Sequence, residues 1–166
     1  MNVRVEVART RDWEAVCRLR LRALADSPDS FDATLEDEQN RPERFWRDRL
    51  EGEATTFLAF VDDRTEPVGM TVVSTGDEPD EGFIAAVWVE PELRGRGISD
   101  RLLDAAVDNA FVAGIRRIVL DVGAHNQPAI EMYQRHGFRQ TGRTVTLSPP
   151  RENVTEHELA LDLIDS

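Results

Sequence analysis

The residues of this chain best equipped for chemistry lie in Arg94-Gly95-Arg96-Gly97, followed by Ile98-Ser99. Two guanidinium groups alternate with two residues that lack a Cβ, so a ligand can approach the backbone while its negative oxygens meet cationic side chains. Ahead of this run, Val87 and Val89 alternate with Trp88 as the end of a half-buried strand does, and Pro91 stops the ladder because it has no N–H to give. Behind it, Ile98 opens an apolar pattern of helical period. A helix start presents several N–H groups with no internal partner, at the positive end of the helix dipole. Binding of phosphate oxygens is the chemistry such a turn performs. Taken alone, the loop also fits a surface turn whose arginines only cap and solvate.

Spacing narrows the ligand. A dinucleotide fingerprint needs a third glycine three residues after Gly97, where this chain has Asp100. A Walker loop needs Gly-Lys-Ser/Thr, which is absent. A second block follows about thirty residues on: Asn126-x-x-Ala129-x-x-x-Tyr133-x-x-x-Gly137-Phe138. Pro128 suits the first turn of a helix there, Gly137 its end, and Ala129 and Tyr133 share one helical face.

Together, Arg94-x-x-Gly97-x-Ser99 and the block from Asn126 to Phe138 resemble the two motifs of the GCN5-related N-acetyltransferases (GNAT). Ser99 departs from the glycine or alanine usual in that family. The resemblance covers roughly Val87 to Phe138 and implies a single GNAT domain over residues 1–166. Its fold would be mixed α/β, with one mostly antiparallel sheet of about six to seven strands and helices on both faces. It also implies acetyl-CoA as co-substrate. Arg94, Gly95, Arg96, Gly97, Ile98 and Ser99 would hold the pyrophosphate, Asn126 the pantetheine, and the backbone of Val87, Trp88 and Val89 the pantetheine arm and the developing oxyanion. Tyr133 occupies the position of the tyrosine that protonates or hydrogen-bonds the coenzyme A sulfur; packing alone is its bland alternative. No cysteine lies in either motif, so direct attack by an amine is expected rather than a covalent intermediate.

The base is less legible. The family's strand glutamate falls on Phe83 here, which leaves Glu81 on the same strand face as the candidate, with Asp121 or a water chain as alternatives. A loop that kept its ligand but lost its base would make a non-catalytic acyl-CoA-binding module. A nucleotide-binding protein is the third reading, and the glycine spacing opposes it.

Elements that could position these residues follow from periodicity. Strands are expected near Val3–Val7, Thr55–Val61, Pro67–Ser74, Gly82–Val89, Arg116–Val122, Phe138–Leu147 and around Leu159–Leu163. Helices are expected near Arg11–Ala25 with Thr10 as N-cap, from Pro42 to Glu51, from Ile98 to Gly114 and from Pro128 to Gly137. Arg20 would pack its stem and send its head to water. By the same family resemblance, the first two helices and the acidic connection from Asp26 to Asn40 would wall an acceptor site; its charge would suit a small cationic amine, most of its carboxylates being solvated.

A net charge of −12 opposes nucleic-acid binding. The longest apolar run is too short for a membrane span, and the lone Cys17 fits a reducing cytoplasm. The three histidines lack metal-ligand spacing, so no metal is expected. Acceptor identity stays open, with a protein N-terminus or lysine the alternative to a small amine, and so does oligomeric state, a homodimer included.

Overall fold

Alternation of apolar residues builds seven strands in the computed structural model, which describes residues 1–163. They are Val3–Val7 (β1), Thr55–Val61 (β2), Gly69–Thr75 (β3), Glu81–Val89 (β4), Arg117–Gly123 (β5), Arg139–Thr146 (β6) and Thr155–Asp162 (β7). The helices are Trp13–Asp26 (α1), Leu35–Glu38 (α2), Glu43–Glu51 (α3), Ile98–Val112 (α4) and Gln127–Arg135 (α5). One sheet runs in the order β1-β2-β3-β4-β5-β7-β6, and only β4 and β5 pair in parallel. The mixed, mostly antiparallel sheet expected from the two motifs is the one observed.

Each face of the sheet carries its own core. Ile98, Leu102, Leu103, Ala106 and Ala110 of α4 recur at helical spacing and are buried against Ile84, Val89, Ile118 and Leu120. Ile130, Met132 and Tyr133 of α5 join that cluster. On the opposite face, Val16, Leu19, Ala23 and Leu24 of α1 pack against Leu58, Met70 and Trp88. Each fully buried leucine is worth about 1.5–3 kcal/mol.

Three local expectations are corrected. The first helix does not start on Thr10; Thr10–Asp12 form a 3-10 turn, and the Asp12 carboxylate accepts the Arg9 N–H at 2.7 Å. The stretch after Asp26 holds the short helix α2, capped by the Thr34 hydroxyl, which accepts the Asp37 N–H at 3.1 Å. That turn carries Glu38 inward, where it is 3% exposed. The Arg20 head is therefore paired rather than simply solvated: its Nε donates to Glu38 Oε1 at 2.7 Å, and the side chain keeps 15% exposure.

Candidate active site

Two strands that begin paired and then part create the site. β4 and β5 are in register only at Glu81–Arg117, Gly82–Ile118 and Phe83–Val119. Beyond Phe83 the β5-facing edge of β4 has no strand partner, so its backbone groups are available to a ligand. A β-bulge helps to open the gap. The pairing with β3 slips between Met70 and Val72, and Ala86 takes the left-handed conformation at φ 58°. The buried Thr71 hydroxyl donates to the Ala85 carbonyl at 3.2 Å beside the slip. As a result Ala85 and Ala86 both border space on the α1 side, while Ile84 and Val87 pack toward α4.

A groove of about 510 Å³ runs from this opening to the start of α4. Val87, Trp88 and Val89 line it, with Arg94, Gly95, Gly97, Ile98 and Ser99 at one end and Asn126 and Tyr133 at the other. Gly95 and Gly97 have φ of +77° and +83°, and a Cβ built at either would meet no atom within 4 Å. The loop therefore needs glycine for its backbone shape, and its near side is open. Gly97→Ala is expected to cost roughly 1–2 kcal/mol, a fall in Tm of about 2–8 °C in a thermal melt, with the sheet and helix content of the protein kept. Gly97 is the N-cap of α4, so the first-turn N–H groups of the helix face this end of the groove.

The two loop arginines differ. Arg94 Nη2 donates to Asp26 Oδ2 at 2.6 Å and its Nε to the Val89 carbonyl at 2.9 Å, while Trp88 Nε1 donates to the same Asp26 oxygen at 3.1 Å. Hydrogen bonds from Ser27, then Arg94, hold the Asp26 carboxyl below the usual carboxylate range. Arg94 thus fastens the loop to β4 and the end of α1. Arg96 is exposed and outside the groove lining. Asp100, an unwelcome charge beside a phosphate, also lines the groove, where it is paired with Arg135 at 3.2 Å and His136 at 2.8 Å. Burial pushes its carboxyl up, but those two partners prevail and hold it low.

At the other end the groove meets a smaller chamber of about 80 Å³, and the two share Ser30, Val87, Asn126, Ala129 and Tyr133. Asn126 caps α5, its Oδ1 accepting the Ala129 N–H at 3.4 Å. Tyr133 is 7% exposed and stacks edge-on with Phe138 at 5.9 Å. Among the described residues no acceptor takes its hydroxyl proton, and burial pushes the phenol well above its ordinary pKa. It stays a neutral donor.

Carboxylates gather on the far wall of the chamber. Asp29, Asp121 and Glu156 line it, and the register Asp121–Glu158 and Gly123–Glu156 puts Asp121 and Glu156 on the same sheet face. Burial, then Glu158, raises the Asp121 carboxyl. Burial, then Asp121 and Asp32, pushes Glu156 up to about 7, against the pull of Arg151. The acidic stretch is pinned beside this wall, yet most of its carboxylates stay exposed as expected, Asp26, Asp29, Asp32, Glu36 and Asp37 among them; Glu38 is the buried exception. The Asp32 carboxylate accepts the Ser148 N–H at 2.7 Å, and Arg151 donates to the carbonyls of Pro28 at 2.6 Å and Phe31 at 2.9 Å.

Glu81 is not among the residues that meet here. It sits at the closed end of the opening, 4.0 Å from Arg117, and lines a neighbouring hollow with Phe83 and Arg143 that shares Asp121 with the chamber. Ala86 lies five positions further on, about 17 Å along a strand. Glu156 escaped the sequence reading because only the pairing of β7 with β5 brings it to the chamber; its one signal was a carboxylate in a strand of alternating pattern. Among the described residues no group of three or more His, Cys, Asp or Glu is arranged to hold a metal, and no helix is long and apolar enough to cross a membrane.

Comparison with known proteins places this architecture. The model of the acetyltransferase (GNAT) family matches residues 13–138. Mycothiol acetyltransferase of Thermobispora bispora is 33% identical over 131 residues, 77% of this chain and 43% of that protein. Mycothiol acetyltransferase of Propionibacterium freudenreichii is 26% identical over 152 residues, 90% of this chain and 47% of that protein. The chain thus spans less than half the length of these curated relatives. Among solved structures, a GNAT-family acetyltransferase of Streptococcus pneumoniae superposes with a TM-score of 0.82 at 18% identity, covering 98% of this chain and 100% of that one. The yncA protein of Salmonella typhimurium, solved with its cofactor acetyl-CoA, superposes with a TM-score of 0.77 at 18% identity, covering 100% of this chain and 96% of that one.

Proposed function

The chain belongs to the acetyltransferase (GNAT) family, and from that premise we propose that it is an acetyl-CoA-dependent N-acetyltransferase acting on a small amine by direct attack. The observation that carries this reading is the junction of groove and chamber: an unpaired strand edge, a neutral tyrosine hydroxyl and a carboxylate wall border one opening. The residues present fit acetyl-CoA. Left-handed glycines and free helix N–H groups suit its pyrophosphate, and the open edge of β4 suits its pantetheine. When bound, acetyl-CoA supplies an activated carbonyl and a thiolate leaving group.

The chain's own groups then divide the work. Backbone N–H groups of β4 beyond Phe83 stabilise negative charge on the carbonyl oxygen. Tyr133 donates its proton or a hydrogen bond to the departing sulfur. Asp29, Asp121 and Glu156 draw an ammonium into the chamber by charge, and Glu156, poised near neutrality, takes its proton before attack. The small chamber suits a two-carbon acyl group. Relatives named for mycothiol acetylation support a small-molecule acceptor.

Calorimetric titration with acetyl-CoA, with ATP and NAD as controls, tests the cofactor. Micromolar acetyl-CoA binding is expected, with no binding of the controls. Absence of acetyl-CoA binding by folded protein overturns the reading. Binding with no turnover of any amine in a broad panel would instead identify an acyl-CoA-binding module.

A further inference from the structure

A second hollow, of about 240 Å³, opens on the α1 side of the same strand. Its floor is Met70 and Val72 of β3 with Ala85 and Ala86 of β4, and the last two also border the chamber beside Tyr133. The lining reaches Thr56 on β2, so the hollow crosses three neighbouring strands, about 10 Å. Helices α1 and α3 close it with Arg20, Trp46 and Arg49.

Those three side chains give the hollow a surplus of donors. Glu38 is the one buried carboxylate between two guanidiniums: Arg20 Nε donates to Oε1 at 2.7 Å, and Arg49 Nη2 lies 3.0 Å from Oε2 without hydrogen-bond alignment. One negative charge thus faces two positive ones. Phe31 and Phe45 lie under the guanidiniums of Arg20 and Arg49 at 4.8 and 4.5 Å, which fixes both heads. Trp46 is 1% exposed, and its Nε1–H has no partner among the described residues. Burial pushes the Arg49 guanidinium below its ordinary pKa, and Arg20 and Arg41 push the same way against the pull of Glu38. An apolar floor ending in two guanidiniums that share one carboxylate, beside one unpartnered indole N–H, asks for an anion on an apolar body.

We propose that the amine acceptor also carries a carboxylate, its apolar body lying over Ala85, Val72 and Met70 and its carboxylate received by Arg49 and Arg20. This rests on the acetyl-transfer reading above and names its acceptor class: an amino acid or amino-acid-like zwitterion. The acidic chamber takes the ammonium end and the basic hollow the other. A polyamine, with a second cation in place of the carboxylate, is repelled there.

The test uses amines that differ only by a carboxylate: leucine against 3-methylbutylamine, and 6-aminohexanoate against pentylamine, with 1,6-diaminohexane as the dication. At least one zwitterion is expected to exceed its plain amine tenfold or more in kcat/KM, chiefly through KM, and the diamine to be the poorest. Arg49→Gln abolishes the preference and Arg49→Lys restores part of it; the Arg49 side chain is 45% exposed and the buried Glu38 keeps its bond from Arg20 in both variants, so both are expected to fold, which a thermal melt checks. Independently of turnover, saturation-transfer NMR is expected to show hexanoate binding to the wild-type protein and not to Arg49→Gln. Plain amines or the diamine matching both zwitterions, or Arg49→Gln slowing all substrates equally, overturns the proposal while leaving acetyl transfer intact. Failure to bind acetyl-CoA overturns both.

Discussion

Tyr133→Phe is expected to lower kcat by about 10²-fold, roughly 2.7 kcal/mol of barrier, with little change in acetyl-CoA affinity. The substitution removes one oxygen from a ring that otherwise keeps its edge-on contact with Phe138 at 5.9 Å. Because no protein acceptor among the described residues holds that hydroxyl, its loss leaves no orphaned partner, and the melting temperature should stay near that of the wild type. The hydroxyl sits where groove and chamber join, so a thioester sulfur arriving along the groove passes it. Burial keeps the phenol protonated across the working range, so the wild-type pH–rate profile should show no descending limb from this residue. Steady-state kinetics beside calorimetric acetyl-CoA binding separates the possibilities. An unchanged kcat would make Tyr133 a packing residue, and the leaving-group role would pass to solvent.

What the sequence discloses of this site is what depends on short spacing. The alternation of arginine and glycine from Arg94 to Gly97 encodes a left-handed turn at a helix start within four residues, so it is visible without the fold. The same holds for Asn126, Pro128 and Gly137, which mark the two ends of α5, and for Ala129 and Tyr133, whose spacing sets their common face. Features that depend on partners far along the chain are not visible. Ala86 carries no mark of a bulge, since its φ follows from how β4 pairs with Thr71 and its neighbours on β3. Glu38 looks like one more surface acid until α1 and α3 bring Arg20 and Arg49 to it. Arg94 has the composition of a phosphate ligand, and only tertiary structure gives it Asp26 and the Val89 carbonyl. Register along β4 likewise decides that Glu81 lies beside Arg117, away from Tyr133.

Glu156→Gln is expected to lower kcat/KM by about 10²-fold or more and to erase the ascending limb of the pH–rate profile. In the wild-type protein that limb should have its midpoint where Glu156 loses its proton, at about 7. The same ionisation must appear in stability, with the opposite sense. From the ordinary carboxyl value of 4.5 up to about 7, folded Glu156 keeps a proton that the unfolded chain has released. The stability this residue contributes is therefore complete below 4.5 and is lost as pH rises through about 7. The glutamine variant lacks that loss, so its melting temperature should gain on the wild type between those pH values. Activity rises and stability falls over one proton, which is what storing an unpaired carboxylate against Asp121 and Asp32 entails. Asp121→Asn provides the electrostatic control. Removing that neighbouring charge should move both midpoints to lower pH together, because Asp121 raises the Glu156 value. A Glu156→Gln profile that superimposes on the wild type would assign the proton to another acceptor, with Asp121 first in line.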